Sequence, residues 1–200
     1  MKKRSFIQLK KLMRYDEFCK FCKKVTEEYA NSEAQFARSY FTENYNVSEN
    51  CYYKILEYAV VTNLVEDVIV NKMMNKAVAN QNLHSQGAGG SSIAKYARMY
   101  TQRCEYIAAS FSEEEVKKIA IDFADNPDIS KEDFATSCGI ARKVLEIILE
   151  RAIENNVVED KVFEAIEKRS LSKNSSKATK DYFVALSKKR EANKKGITLE

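Results

Sequence analysis

Five cysteines, one histidine and a glycine-rich run are the groups in this 200-residue sequence whose types and spacing could do chemistry. Cys19 and Cys22, in the run FCKFC, have the CxxC spacing of half a zinc site. A tetrahedral ion needs two more ligands, and the remaining soft donors, Cys51, Cys104, Cys138 and His84, never pair at a chelating spacing. Cysteines three apart on a helix share a face and read as small core residues, so no metal is expected. The odd cysteine count also argues for reduced thiols rather than a disulfide framework. The run GAGGSS (87–92) could cradle a phosphate at a helix N-terminus, but it lacks a preceding strand and a Gly-Lys-Ser/Thr ending. It reads as a flexible connector, and His84 beside it as an exposed histidine. Nothing assembles an acid, a base and a substrate cradle. The sequence therefore predicts a non-enzyme with no cofactor and no evident small-molecule substrate.

The elements that would carry these residues are helical. One proline, five glycines and no tryptophan favour long helices, and 44% hydrophobic composition is enough for one sizeable core or two small ones. No apolar run approaches the roughly 20 residues needed to span a bilayer, and the opening MKKRSFIQLKKLM lacks a signal-peptide core, so a cytoplasmic protein with no membrane partner is expected. The net charge of +4 hides an asymmetry: residues 1–24 carry nine Lys or Arg against two acids, residues 173–200 eight against three, and the middle sixteen against twenty-four. Basic ends flank an acidic centre.

The chain also resembles itself. At an offset of 93, FTENYNVSENCYYKILEYAVVTNLVED (41–67) lies over FATSCGIARKVLEIILERAIENNVVED (134–160) without a gap, and nine of the 27 positions are identical. Upstream, KKVTEEYA (23–30) matches KKIAIDFA (117–124) at an offset of 94. Each copy parses as four helices. In copy one, a helix covers about 6–30, Ser32 with Gln35 caps a short second helix, YNV is a turn, Ser48 starts the third helix and Asn63 ends it. Glu66 and Asp67 open the fourth. In copy two, Ser112 with Glu115 forms a capping box, Ser130 precedes the short helix, CGI is the turn, Asn156 the terminator, and Glu159 and Asp160 open the last helix.

In copy two, small Ala135 lets two helices approach, Gly139 accepts positive φ in the turn, and Ile140, Leu145 and Ile148 fill the angle between the helices. Copy one keeps Thr42, Asn46, Val47, Tyr52 and Ile55 at the same places. This pattern resembles the helix-turn-helix superfamily of DNA-binding proteins over about twenty residues per copy. The resemblance implies that the third helix of a copy lies in the major groove with its first turns at the base edges. Helical spacing turns Cys51, Tyr52, Ile55, Leu56, Ala59 and Val60 inward, and Val144, Leu145, Ile148, Leu149, Ala152 and Ile153 in copy two. It leaves Ser48, Glu49, Asn50, Tyr53, Lys54, Glu57, Tyr58 and Val61 outward in copy one, and Arg142, Lys143, Glu146, Ile147, Glu150, Arg151 and Glu154 in copy two.

The expected architecture is all-α: two tandem helix-turn-helix-like bundles from an internal duplication, covering 1–82 and 112–173, with a glycine-rich loop and linking helix at 83–111 and a basic helix or tail at 174–200. The first functional reading is a DNA-binding transcriptional regulator of a bacterium, phage or mobile element. Ser48, Asn50, Tyr53 and Lys54, with Arg142 and Lys143, would face double-stranded DNA, and Lys2, Lys3, Arg4, Lys10, Lys11 and Arg14 would hold phosphates. That requires these N-terminal cations, or Lys188, Lys189, Arg190, Lys194 and Lys195 at the other end, to fold back beside the copy-one reading helix, because the acidic centre opposes DNA. The alternative is an interaction module that keeps the shape and binds a second copy of itself or another protein, with Ile147 in the contact.

Overall fold

Serine side chains start five of the helices. The hydroxyls of Ser5, Ser48, Ser112, Ser130 and Ser176 each accept a backbone N–H from the first turn that follows, relieving donors no intrahelical carbonyl can reach. The computed structural model describes residues 3–33, 38–83, 90–171 and 176–196. Among the described residues every regular element is an α-helix and there is no strand. The chain divides into two units, 1–106 and 107–200. Gln35, residues 84–86 with His84, and 87–89 of the glycine-rich run lie outside the described residues, as does Lys2.

Unit 1 contains α1 (Phe6–Leu12), α2 (Tyr15–Asn31), α3 (Arg38–Asn44), α4 (Glu49–Val61), α5 (Asp67–Leu83) and most of α6 (Gly90–Ala109). The single opening helix expected over 6–30 is broken: Met13 and Arg14 are extended, and Glu17 accepts the Arg14 N–H to start a new helix. The break has a packing cause. It lets α1 fold over Phe18 and Tyr58, with the Phe6 and Phe18 rings 5.3 Å apart and Leu9 buried. The inward stripe of α4 closes the core against α2, and all six of its members are buried. The helix expected as a linker is a core element: α6 sinks Tyr96 and Met99 among the residues of α2, α4 and α5.

Unit 2 contains α7 (Glu113–Asp125), α8 (Lys131–Ser137), α9 (Arg142–Glu154), α10 (Asp160–Ser170) and α11 (Lys177–Lys194). Its details match unit 1 position by position. Asn46 and Gly139, 93 apart, take φ of 48° and 69° in the turns before α4 and α9. Asn63 and Asn156, also 93 apart, take 58° and 56° where those helices end. Both left-handed pairs suit residue types that tolerate positive φ. The bonds that lock the turns agree as well: Val47 N–H to Thr42 O and Ile140 N–H to Ala135 O, both 3.0 Å, and Leu64 N–H to Ala59 O and Val157 N–H to Ala152 O, both 3.0 Å.

Two buried cations repeat too. Arg103 of α6 and Arg190 of α11 are each 3% exposed. Arg103 donates to Val60 O at the end of α4 and to Asp67 at the start of α5. Arg190 donates to Ile153 O at the end of α9, to Val158 O, and to Asp160 at the start of α10. Each guanidinium thus satisfies carbonyls left over at one helix end and the carboxylate opening the next helix. One turn pair further on, Lys76 of α5 donates to Tyr29 O and to Ser32, and Arg169 of α10, 93 residues later, donates to Phe123 O and Ile129 O. Both cations sit on the aromatic ring of the helix they cap, Tyr29 and Phe123.

Candidate nucleic-acid interface

The chain ahead of α1 is pinned onto the turn between α3 and α4. Arg4 N–H donates to Asn46 O at 2.9 Å, and Ser48 N–H donates to Arg4 O at 3.0 Å, an isolated parallel bridge beside the residue that caps α4. Lys3 Nζ reaches the Thr42 hydroxyl at 3.5 Å. Two cations therefore stand next to the first turn of α4. Lys3, Arg4, Lys10, Lys11 and Arg14 are all exposed, and among the described residues none forms an ion pair. Lys10 alone leans on an aromatic ring, that of Tyr58, at 6.0 Å.

On α4, the residues expected to face outward separate into two groups. Glu49, Asn50 and Lys54 are exposed. Ser48 is half-buried and its hydroxyl is occupied by the Cys51 N–H at 3.2 Å. Tyr53 is also half-buried: Lys95 of α6 lies over its ring at 3.8 Å, so it is a wall between α4 and α6 rather than a free reader. Tyr58 is drawn in by Phe6 and Phe18. Only the first turn and a half of α4 remains open.

In unit 2 the same helix is covered. Arg142 is exposed but paired with Glu132 at 3.6 Å and Glu146 at 3.2 Å, and exposed Lys143 lies 3.7 Å from Glu146. Tyr182 of α11 lies near the acidic face of α9; burial first, and then the Glu150, Glu154 and Glu146 charges, push its phenol pKa above the ordinary value. Lys189 pairs with Glu154 at 2.7 Å. Arg151, expected outward, turns back to donate to Ala108 O and Phe111 O, both at 3.1 Å. Ile147 is half-buried. Of the basic run expected at the C-terminus as a phosphate arm, Lys189, Arg190 and Lys194 are engaged within their own unit, the last 2.6 Å from Asp160, while Lys188 and Lys195 are exposed.

The cysteines form no ligand cluster: among the described residues no group of three or more His, Cys, Asp or Glu could hold a metal ion. Burial pushes the Cys22 thiol up to about 12 and the Cys51 thiol to about 11, which suits inert core residues. No helix among the described residues is long and apolar enough to cross a membrane. Comparison of the chain with family models, with curated proteins and with solved structures finds no match.

Proposed function

We propose that the chain is a duplicated helix-turn-helix protein whose first unit binds double-stranded DNA, as a transcriptional regulator of a bacterium, phage or mobile element would. The duplication is supported by the shared positive-φ sites, turn bonds and buried cations of the two units. The DNA reading is carried by one observation: the backbone of Arg4 pairs with the turn before α4, which anchors the basic N-terminal segment at the start of the helix that exposes Asn50 and Lys54. In such an arrangement the first turn of the helix meets base edges while the flanking cations meet phosphates. Asn50 is the residue of that turn suited to adenine, and Lys54 to guanine or phosphate.

Fluorescence anisotropy with labelled duplex tests this. Asn50→Ala combined with Lys54→Glu changes two exposed residues and is expected to abolish binding while the far-ultraviolet circular dichroism stays unchanged. Lys3→Ala with Arg4→Ala is expected to reduce the slope of log K against log salt by about 1.8, or roughly 0.9 per phosphate. Unaltered binding in the first variant removes α4 as the reader.

A second reading, an interaction module, has its own support in the half-buried Ile147 and the covering of α9 by α11, which show this helix position packing on protein within the chain. It predicts that Ile147→Asp dissociates an oligomer seen by light scattering, and that duplex DNA is not bound even at low salt.

A further inference from the structure

Helical spacing divides the outside of α4 into an open arc and two flanks. At about 100° per residue, Asn50 and Lys54 share the open arc, and Tyr58 and Tyr53 lie on either side of it, about 140° apart. Both tyrosines are half-buried, and each carries a lysine on its ring. Lys10 of α1 stands 6.0 Å from the centre of the Tyr58 ring, and Lys95 of α6 stands 3.8 Å from that of Tyr53. So α1 borders one flank of the arc and α6 the other. α6 runs beside α4 in the same direction, since Lys95 meets Tyr53 near its start and Arg103 meets the Val60 carbonyl at its end. Arg98, three residues after Lys95, is exposed and forms no ion pair among the described residues.

Between the flanks the surface is polar. No residue of α4 is an exposed large hydrophobic, and Glu57 and Val61, further along the arc, are half-buried. A protein-docking surface centres on apolar side chains that this arc lacks. Cations on both borders of a polar helix face instead fit phosphates on both borders of a groove. Glu49 is exposed on the Tyr53 flank and opposes a phosphate there, one acid against the two cations of α6. The charge pattern of the sequence directs phosphate contacts to the chain ends, whereas Lys95 and Arg98 lie in its acidic centre.

We propose that α6 is a second phosphate-binding wall, with Lys95 and Arg98 taking one strand of a duplex whose other strand meets Lys10 of α1, so that α4 enters the major groove of B-form DNA. The assignment rests on the DNA reading of unit 1. An A-form RNA duplex, whose major groove is deep and narrow, does not admit α4 in this way. Fluorescence anisotropy of the full chain with a labelled mixed-sequence DNA duplex, repeated over a range of salt concentrations, tests it. Lys95→Gln combined with Arg98→Gln is expected to lower the slope of log K against log salt by about 1.8, and Lys95→Arg to keep the wild-type slope. Arg98→Gln alone, at an exposed position, is expected to lower it by about 0.9, which keeps the test open should the Lys95 change disturb the Tyr53 contact. Lys117→Gln with Lys118→Gln makes the same charge change at exposed positions of α7 and is expected to leave the slope unchanged. An RNA duplex of the same sequence is expected to bind about tenfold more weakly or worse. A wild-type chain that binds no duplex overturns this assignment together with the reading beneath it. DNA binding that is lost in Asn50→Ala with Lys54→Glu, but keeps its slope in the α6 variants, overturns the α6 wall alone, as does an equal fall in the α7 variant. Equal affinity for the RNA duplex overturns the placement in a DNA major groove.

Discussion

Replacing Arg190 by alanine removes the donor of two carbonyls at once. Ile153 O and Val158 O are both met by its guanidinium, which is 3% exposed, so neither gains water when the side chain is cut back. An orphaned buried acceptor costs about 1–3 kcal/mol, which puts the variant at about 2–6 kcal/mol for the pair. The Asp160 contact adds little, since the carboxylate side chain is 65% exposed and screened by solvent. We expect a loss of about 3–4 kcal/mol, in the range for breaking a buried charged network. The equivalent Arg103→Ala exposes one orphan, Val60 O at 3.1 Å, and should cost less, about 1–3 kcal/mol. Arg190→Lys keeps the charge but not the fork, and falls between wild type and Arg190→Ala. Urea unfolding by circular dichroism, with amide exchange of α9 and α11 to assign the transition to unit 2, measures all three. A loss under about 1 kcal/mol for Arg190→Ala would refute the cost assigned to the orphaned carbonyls, and an Asp160→Asn variant as damaged as Arg190→Ala would show that the ion pair rather than the carbonyls carries the device.

Gly139→Val places a β-branched residue at φ 69°; nothing lies within 4 Å of an added Cβ, so the cost is backbone strain alone, about 1–2 kcal/mol by thermal melting, and Gly139→Asn should cost less. A thiol reagent at pH 8 should label exposed Cys138 first and half-buried Cys19 more slowly, and reach Cys22, Cys51 and Cys104 only after unfolding, read by mass spectrometry of digests. The Ser112 backbone N–H and then its hydroxyl hold the Glu115 carboxyl below its ordinary range. A carboxylate depressed in the folded state contributes stability that is present above its unfolded pKa, about 4.3, and lost as pH falls through the folded value. Melting temperature should therefore drop on acidification below about pH 5 less steeply in Glu115→Gln than in wild type.

The turns and the inward faces were legible because they depend on local rules. Asn46, Asn63, Gly139 and Asn156 are residue types that accept positive φ, and they sit where the apolar spacing stops. The stripes of α4 and α9 follow helical periodicity, and every member expected inward is buried. The sixth and eleventh helices were not recognised as counterparts, since their alignment slips. Arg103 lies 36 residues after Asp67, whereas Arg190 lies 30 after Asp160, so an ungapped offset of 93 passes over the match. The break at Met13 left no proline or glycine to mark it; it exists because Leu9, Phe6 and Phe18 gain contacts across the chain that an unbroken helix would deny them.

The acidic centre and basic ends, taken together, gave two symmetrical candidates for a phosphate arm, and tertiary neighbours separate them. The C-terminal cations answer acids and carbonyls of their own unit: Lys189 with Glu154, Arg190 with the ends of α9 and α10, Lys194 with Asp160. Their charge is neutralised where it stands, and the helix that bears them lies across the acidic side of α9. Among the described residues Lys3, Arg4, Lys10, Lys11 and Arg14 form no ion pair, and the bridge from Arg4 to the α3–α4 turn anchors the backbone of this segment at the start of α4. A phosphate approaching that turn would meet unpaired lysine and arginine, and one approaching α9 would meet pairs already closed. The same bend in the chain therefore stands beside unpaired, exposed cations in one unit and beside closed ion pairs in the other, and the difference comes from what each terminus covers rather than from the bend itself.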